Sequence, residues 1–120
     1  MALCILAAAK TTVIAASAFT LSWIHSAQKS EWSEDWSITD AGLELTQARI
    51  KGSGAGMEPP DGARLVDGWW VYKPELPPRP SILLASSGAT QGGWRLCAAG
   101  ECREIGKEAD EPVLLSACEP

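Results

Sequence analysis

Residues 31–38, Glu-Trp-Ser-Glu-Asp-Trp-Ser-Ile, restrict the fold of this chain more than any other stretch. Trp32, Glu34, Trp36 and Ile38 fall on every second position, with Glu31, Ser33, Asp35 and Ser37 between them. Successive side chains of a strand point to opposite faces, so this period gathers two indoles, an Ile and an acid on one face. A helix would scatter the same residues around its surface. Phe19–Ser26 repeats the pattern, with Phe19, Leu21, Trp23 and His25 alternating against Thr20, Ser22, Ile24 and Ser26. Two half-buried strands in succession point to a sheet.

The rest of the chain reads the same way. Leu43–Ile50 is a strand whose apolar parity shifts from Leu43 and Leu45 to Ala48 and Ile50, so a bulge is expected near Gln47. Ala63–Val66 and Gly68–Tyr72 form a hairpin about Asp67-Gly68, a strong turn dipeptide. Ser81–Ser86 is a short apolar strand, and Trp94–Ala98 with Cys102–Ile105 makes a last hairpin. Leu3–Ala8 and Thr12–Ala16 read as two strands around a turn at Lys10. The four prolines of Lys73–Pro80 favour extended, polyproline-like chain. Short strands broken by Gly and Pro imply an all-β fold, a small single-domain antiparallel barrel or sandwich over residues 1–106. Residues 107–120 are expected to form a flexible C-terminal tail.

A chain of 120 residues, 46% hydrophobic and 21% charged, suits one folded domain. Its net charge of −5 argues against nucleic acid, which wants a basic face, and against a surface built for anionic lipid. Met1–Ile24 is mostly apolar, but Lys10 and several hydroxyls interrupt it. It lacks the layout of a spanning helix or of a cleaved signal, so strands are expected there.

Four cysteines, Cys4, Cys97, Cys102 and Cys118, allow three pairings. Cys97 and Cys102 flank a turn-like Ala-Ala-Gly-Glu and are a candidate disulfide in an oxidising compartment; reduced thiols packed as small apolar groups are the alternative. No metal site is expected, because His25 is the lone histidine and no Cys-x-x-Cys occurs. No cofactor is implied.

Candidate ligand-binding residues cluster in two places. His25, Ser26 and Lys29 stand at the end of the clearest strand, where an imidazole, a hydroxyl and an amine could meet a ligand; a strand-end histidine hydrogen-bonded in the sheet is the alternative. Arg49 and Lys51 lead into Lys51–Pro60, a loop carrying Gly52, Gly54 and Gly56, then Glu58 and two prolines. Two cations beside accessible loop N–H groups suit a small carboxylate or a phosphate. The glycine spacing is neither that of a P-loop nor that of a dinucleotide fold. A purely structural turn is the alternative. Glu34 shares its face with Trp32 and Trp36; it is expected to pair with Arg49 or Lys51, and a partly buried carboxyl with a raised pKa is the alternative. With one histidine and no second catalytic group, an enzyme using His25 as acid or base is a distant third reading, and no enzymatic activity is expected. Trp69 and Trp70 put one indole on each face of their strand, a candidate partner surface; two indoles that only cover both sides of a thin sheet are the alternative.

Several of these stretches, taken in order, resemble the domain of unknown function 1850 family: Phe19–Lys29, Trp32 with Glu34-Asp35, Ala48–Pro60, Asp67–Trp70, Leu76–Pro78 and Trp94–Cys97. Where many members carry Val-Glu between the Ser and Lys of His-Ser-x-x-Lys, this chain has Ala27-Gln28. The resemblance implies an extracytoplasmic, periplasmic location. It also implies an accessory role beside TAXI-type TRAP transporters, with the permease or the solute-binding protein as partner. It implies no reaction.

Overall fold

The computed structural model describes residues 1–25, 30–51, 62–84, 93–106 and 112–119, with the His25 side chain outside that set. Eleven strands occur among them: β1 (Ala2–Ala7), β2 (Lys10–Ala15), β3 (Ala18–His25), β4 (Ser30–Thr39), β5 (Gly42–Lys51), β6 (Arg64–Val66), β7 (Trp69–Tyr72), β8 (Ser81–Leu84), β9 (Trp94–Ala98), β10 (Glu101–Ile105) and β11 (Val113–Cys118). They form two antiparallel sheets, one of seven strands in the order β10-β9-β3-β4-β5-β7-β6 and one of four in the order β2-β1-β11-β8. The protein is an all-β sandwich. No helix among the described residues is long and apolar enough to cross a membrane.

The two alternating strands form the centre of the large sheet. Phe19 lies opposite Trp36, Leu21 opposite Glu34 and Trp23 opposite Trp32 across the β3–β4 ladder. Their shared face turns inward. Phe19, Leu21, Trp36, Leu45 and Leu96 of the large sheet interlock with Leu3, Ile5, Leu84, Val113 and Leu115 of the small one. Phe19 and Trp36 stack with ring centroids 6.1 Å apart. Burying such side chains is the main stabilising term, about 1.5–3 kcal/mol for each fully buried large aliphatic or Phe residue.

The expected bulge is present. Asp35 pairs with Gln47 but Trp36 pairs with Leu45, leaving Thr46 as the extra residue. Thr46 Oγ1 donates to the Asp35 carbonyl at 3.0 Å, so the interrupted ladder keeps a hydrogen bond there. The bulge keeps Leu45, Ala48 and Ile50 on the inner face, since an uninterrupted period would have turned either Leu45 or Ala48 outward.

Three hairpins turn on pairs of residues with positive φ: Ala8-Ala9, Asp67-Gly68 and Ala99-Gly100. That is the type I′ arrangement, whose twist matches the flanking strands. The Asp67-Gly68 hairpin was legible from its sequence. The first turn is Ala8-Ala9 rather than Lys10, which instead opens β2. Alanine carries no turn signal, so the sequence misplaced it.

Residues 113–118 are not a loose tail: β11 sits between β1 and β8 in the small sheet. Val113 and Leu115 are fully buried in the core. Three consecutive apolar residues are too short a signal to be seen as a strand in isolation, but here Val113 and Leu115 fill space facing the large sheet while Leu114 points to the outer face. Cys4 and Cys118 are joined by a disulfide that ties β1 to β11.

Candidate functional site

The central strands carry opposite chemistry on their two faces. On the outer face Asp35 is the hub. Thr20 Oγ1 donates to its Oδ1 at 2.9 Å and Gln47 Nε2 to its Oδ2 at 3.4 Å. Arg49 Nη2 donates to Asp35 Oδ1 at 3.0 Å and to Ser33 Oγ at 2.8 Å. The register explains the grouping: Thr20 and Gln47 lie directly across from Asp35, and Arg49 across from Ser33. Both members of the ion pair are about 30% exposed, so the pair alone is worth little, on the order of 0.5 kcal/mol, and the hydrogen bonds do more. Beside the network lies an open cavity of about 590 Å³ lined by Thr20, Asp35, Thr46 and the β9–β10 turn. A disulfide between Cys97 and Cys102 staples that turn.

Lys51 ends β5 on the same outer face, opposite Trp69 of β7. Its ammonium lies 5.5 Å from the Trp69 ring centroid, a cation–π contact. Arg49 and Lys51 therefore do share a face, as the alternation requires. Trp70 is turned the other way, across from Ile50. Both indoles of the pair are partly exposed.

On the inner face Glu34 stands among rings. It is not paired with Arg49 or Lys51, the pairing expected from the sequence; the alternative of a partly buried carboxyl holds instead. The bulge sets Arg49 across from Ser33, on the face of Asp35, and sets Ala48 across from Glu34. The Glu34 carboxylate instead accepts from Trp36 Nε1 at 3.2 Å. Burial raises its pKa above the ordinary 4.5, and the Trp36 hydrogen bond only partly offsets this. Tyr72, across from Ala48, has its phenol pushed above 10.0, chiefly by burial and then by the charge of Glu34. Trp23 and Trp32 stack 6.1 Å apart in the adjoining row.

Ser26, Lys29, Gly52, Gly54, Gly56 and Glu58 lie outside the described residues, as does the His25 side chain; the His25 backbone closes β3. Among the described residues, no group of three His, Cys, Asp or Glu side chains could hold a metal ion. Asp35 as a hub and Tyr72 as the neighbour of Glu34 escaped the sequence reading. The shifted parity of β5 was the available signal for Asp35, because it decides which acid Arg49 can reach.

Fold and faces define a disulfide-stapled β-sandwich with a polar outer network and an acid set among inner aromatics. The chain belongs to the family described as domain of unknown function (DUF1850), whose model matches residues 19–105. That match runs from the second residue of β3 to the end of β10. It takes in every strand of the large sheet and β8, while β1, β2 and β11 lie outside it. No curated protein and no solved structure matches the chain.

Proposed function

We propose that this chain is a non-enzymatic binding module on the extracytoplasmic side of a solute-uptake system. In this reading it acts beside a TAXI-type TRAP transporter, through the permease or the solute-binding protein. The observation that carries the location is the pairing of all four cysteines in two disulfides, Cys4–Cys118 and Cys97–Cys102. Such bonds persist in the periplasm and other oxidising compartments and are rare in a reducing cytosol. The binding role is supported by the engagement of Asp35, which accepts from three side chains and so acts as a structural acceptor, not a free base. For a partner, the outer face of the small sheet offers an apolar row. Leu6, Leu114 and Leu83 lie directly across from one another on β1, β11 and β8, and Leu83 is 63% exposed. Exposed apolar groups in a row mark a contact surface for another protein. Trp69, partly exposed on the outer face of the large sheet, is a second candidate contact.

A small carboxylate remains a second ligand class. Lys51 is the cation that suits it, since its ammonium lies over Trp69, whereas Arg49 is occupied by Asp35.

The test is affinity purification of the tagged chain from native membranes, with mass spectrometry of what accompanies it. A permease or solute-binding protein should be recovered, and Leu83→Asp should reduce its yield several-fold. Recovery of the chain alone would overturn the accessory role.

A further inference from the structure

Of the two disulfides, one sits where a reagent can reach it. Cys97 and Cys102 lie directly across from each other on β9 and β10. Their side chains point outward, because Leu96 and Ala98, on either side of Cys97, are buried in the core. β10 is an edge strand of the large sheet, and β3 flanks β9 on the other side. Cys97 is half-buried, with Thr20 across from it on β3, whereas Cys102 is exposed. Cys102 borders two openings. One is the cavity of about 590 Å³ beside Asp35; the other, of about 210 Å³, is lined also by Arg95, Arg103 and Glu104.

Cys4–Cys118 is placed differently. It joins β1 to β11, the two inner strands of the small sheet, and both of its cysteines are half-buried. Cys118 borders an open cavity of about 370 Å³, but Val13 of β2 lies across from Cys4 on the far side of the bond. Opening it would release a loop closed over 114 residues.

A thiolate attacks one disulfide sulfur from the side opposite the sulfur that leaves. For Cys102 that side is the sheet edge, where no strand follows β10 among the described residues. For Cys97 it is the side of β3 and Thr20. Opening the bond leaves the hairpin standing. Ladder pairs run from Glu101–Ala98 to Ile105–Trp94, and the Ala99-Gly100 turn closes them. The bond spans a separation of only 5, so little chain is freed. The two thiols stay opposite each other, ready to re-form it.

We propose that Cys97–Cys102 is a thiol–disulfide exchange site that takes a dithiol and is entered at Cys102. One thiolate of the dithiol bonds to Cys102 Sγ, the Cys97–Cys102 bond breaks, and Cys97 leaves as a thiolate that takes a proton from water. The second thiolate of the dithiol then attacks the first, and Cys102 leaves and is protonated. The dithiol ends as a disulfide and the chain as two thiols, a two-electron transfer. Arg95 supplies a cation beside this route, with Glu104 directly across from it. The site is independent of any transporter partner.

The test incubates the whole oxidised chain with graded dithiothreitol, traps thiols with N-ethylmaleimide and locates the label by peptide mass spectrometry. Tryptophan fluorescence follows the fold in the same samples. Cys97 and Cys102 should be labelled at a dithiol concentration at least tenfold below that needed for Cys4 and Cys118, with fluorescence unchanged. Glutathione, a monothiol, should be caught on Cys102 and not on Cys97. Reduced thioredoxin at equal dithiol concentration separates the two sources of such a reductant. Faster opening by thioredoxin assigns a protein dithiol, and faster opening by dithiothreitol a free one. Reduction of both disulfides together, opening of Cys97–Cys102 only as the fluorescence reports unfolding, or glutathione on Cys97 would overturn the proposal while leaving the accessory role untouched.

Discussion

Trp36 Nε1 donates to Glu34 Oε1 at 3.2 Å, across two residues on one face of β4. An acid is thereby held on the same face as the core. Its raised pKa fixes the sign of a pH effect. The folded state holds this proton more tightly than the unfolded one. Below about pH 4.5 both states are protonated and Glu34 costs nothing. As pH rises from there to the folded pKa, the unfolded state releases the proton first, and stability falls. Glu34→Gln should remove that slope. Its Tm should match the parent at pH 4 and exceed it at pH 7.5, as read by thermal unfolding at both values.

The disulfides should differ in weight. Cys4–Cys118 spans 114 residues and Cys97–Cys102 only 5. Restricting the unfolded chain over the longer loop is worth about 5 kcal/mol on chain-entropy grounds, against about 2 kcal/mol for the shorter. Replacing Cys4 and Cys118 together by Ser should therefore lower the denaturation midpoint roughly twice as much as replacing Cys97 and Cys102. Equal losses in urea titrations would contradict this ordering.

Gly42 opens β5 at φ +117°, and a Cβ there would stand 2.4 Å from the Arg79 carbonyl oxygen. Leu43 and Arg79 exchange two backbone hydrogen bonds, at 2.7 and 2.9 Å, beside it. Gly42→Ala should force that bridge apart and cost about 2–3 kcal/mol, visible as a drop in Tm.

The Ala8-Ala9 turn runs against residue preference, with both φ values positive. Asn-Gly accepts that conformation far better. The double substitution should raise stability by about 1 kcal/mol, or roughly 4 °C in Tm, without altering the β1–β2 register. An unchanged or lower Tm would mean the turn is held in another way.

How much of the molecule was legible follows from the range over which each signal acts. The alternation in β3 and β4, the Asp67-Gly68 turn and the parity break in β5 are local, and each named its element correctly. Ala8-Ala9 failed because its turn is imposed by the strands it joins. Residues 113–118 failed because their strand exists only between β1 and β8. For the candidate site, the sequence placed Arg49 and Lys51 on one face but named the wrong acid. A one-residue bulge decides between Glu34 and Asp35, and its position depends on which side chains the opposite sheet can accept.

The sequence by itself determined that this chain makes sheets and which residues share a face, because side-chain direction in a strand is a property of the backbone alone. The tertiary structure decided everything that depends on neighbours distant in the chain. It paired Cys4 with Cys118, gave Arg49 to Asp35 and left Glu34 among Trp36, Trp32 and Tyr72. Those outcomes follow from strand order and register, which are set by how two apolar faces fill the space between them.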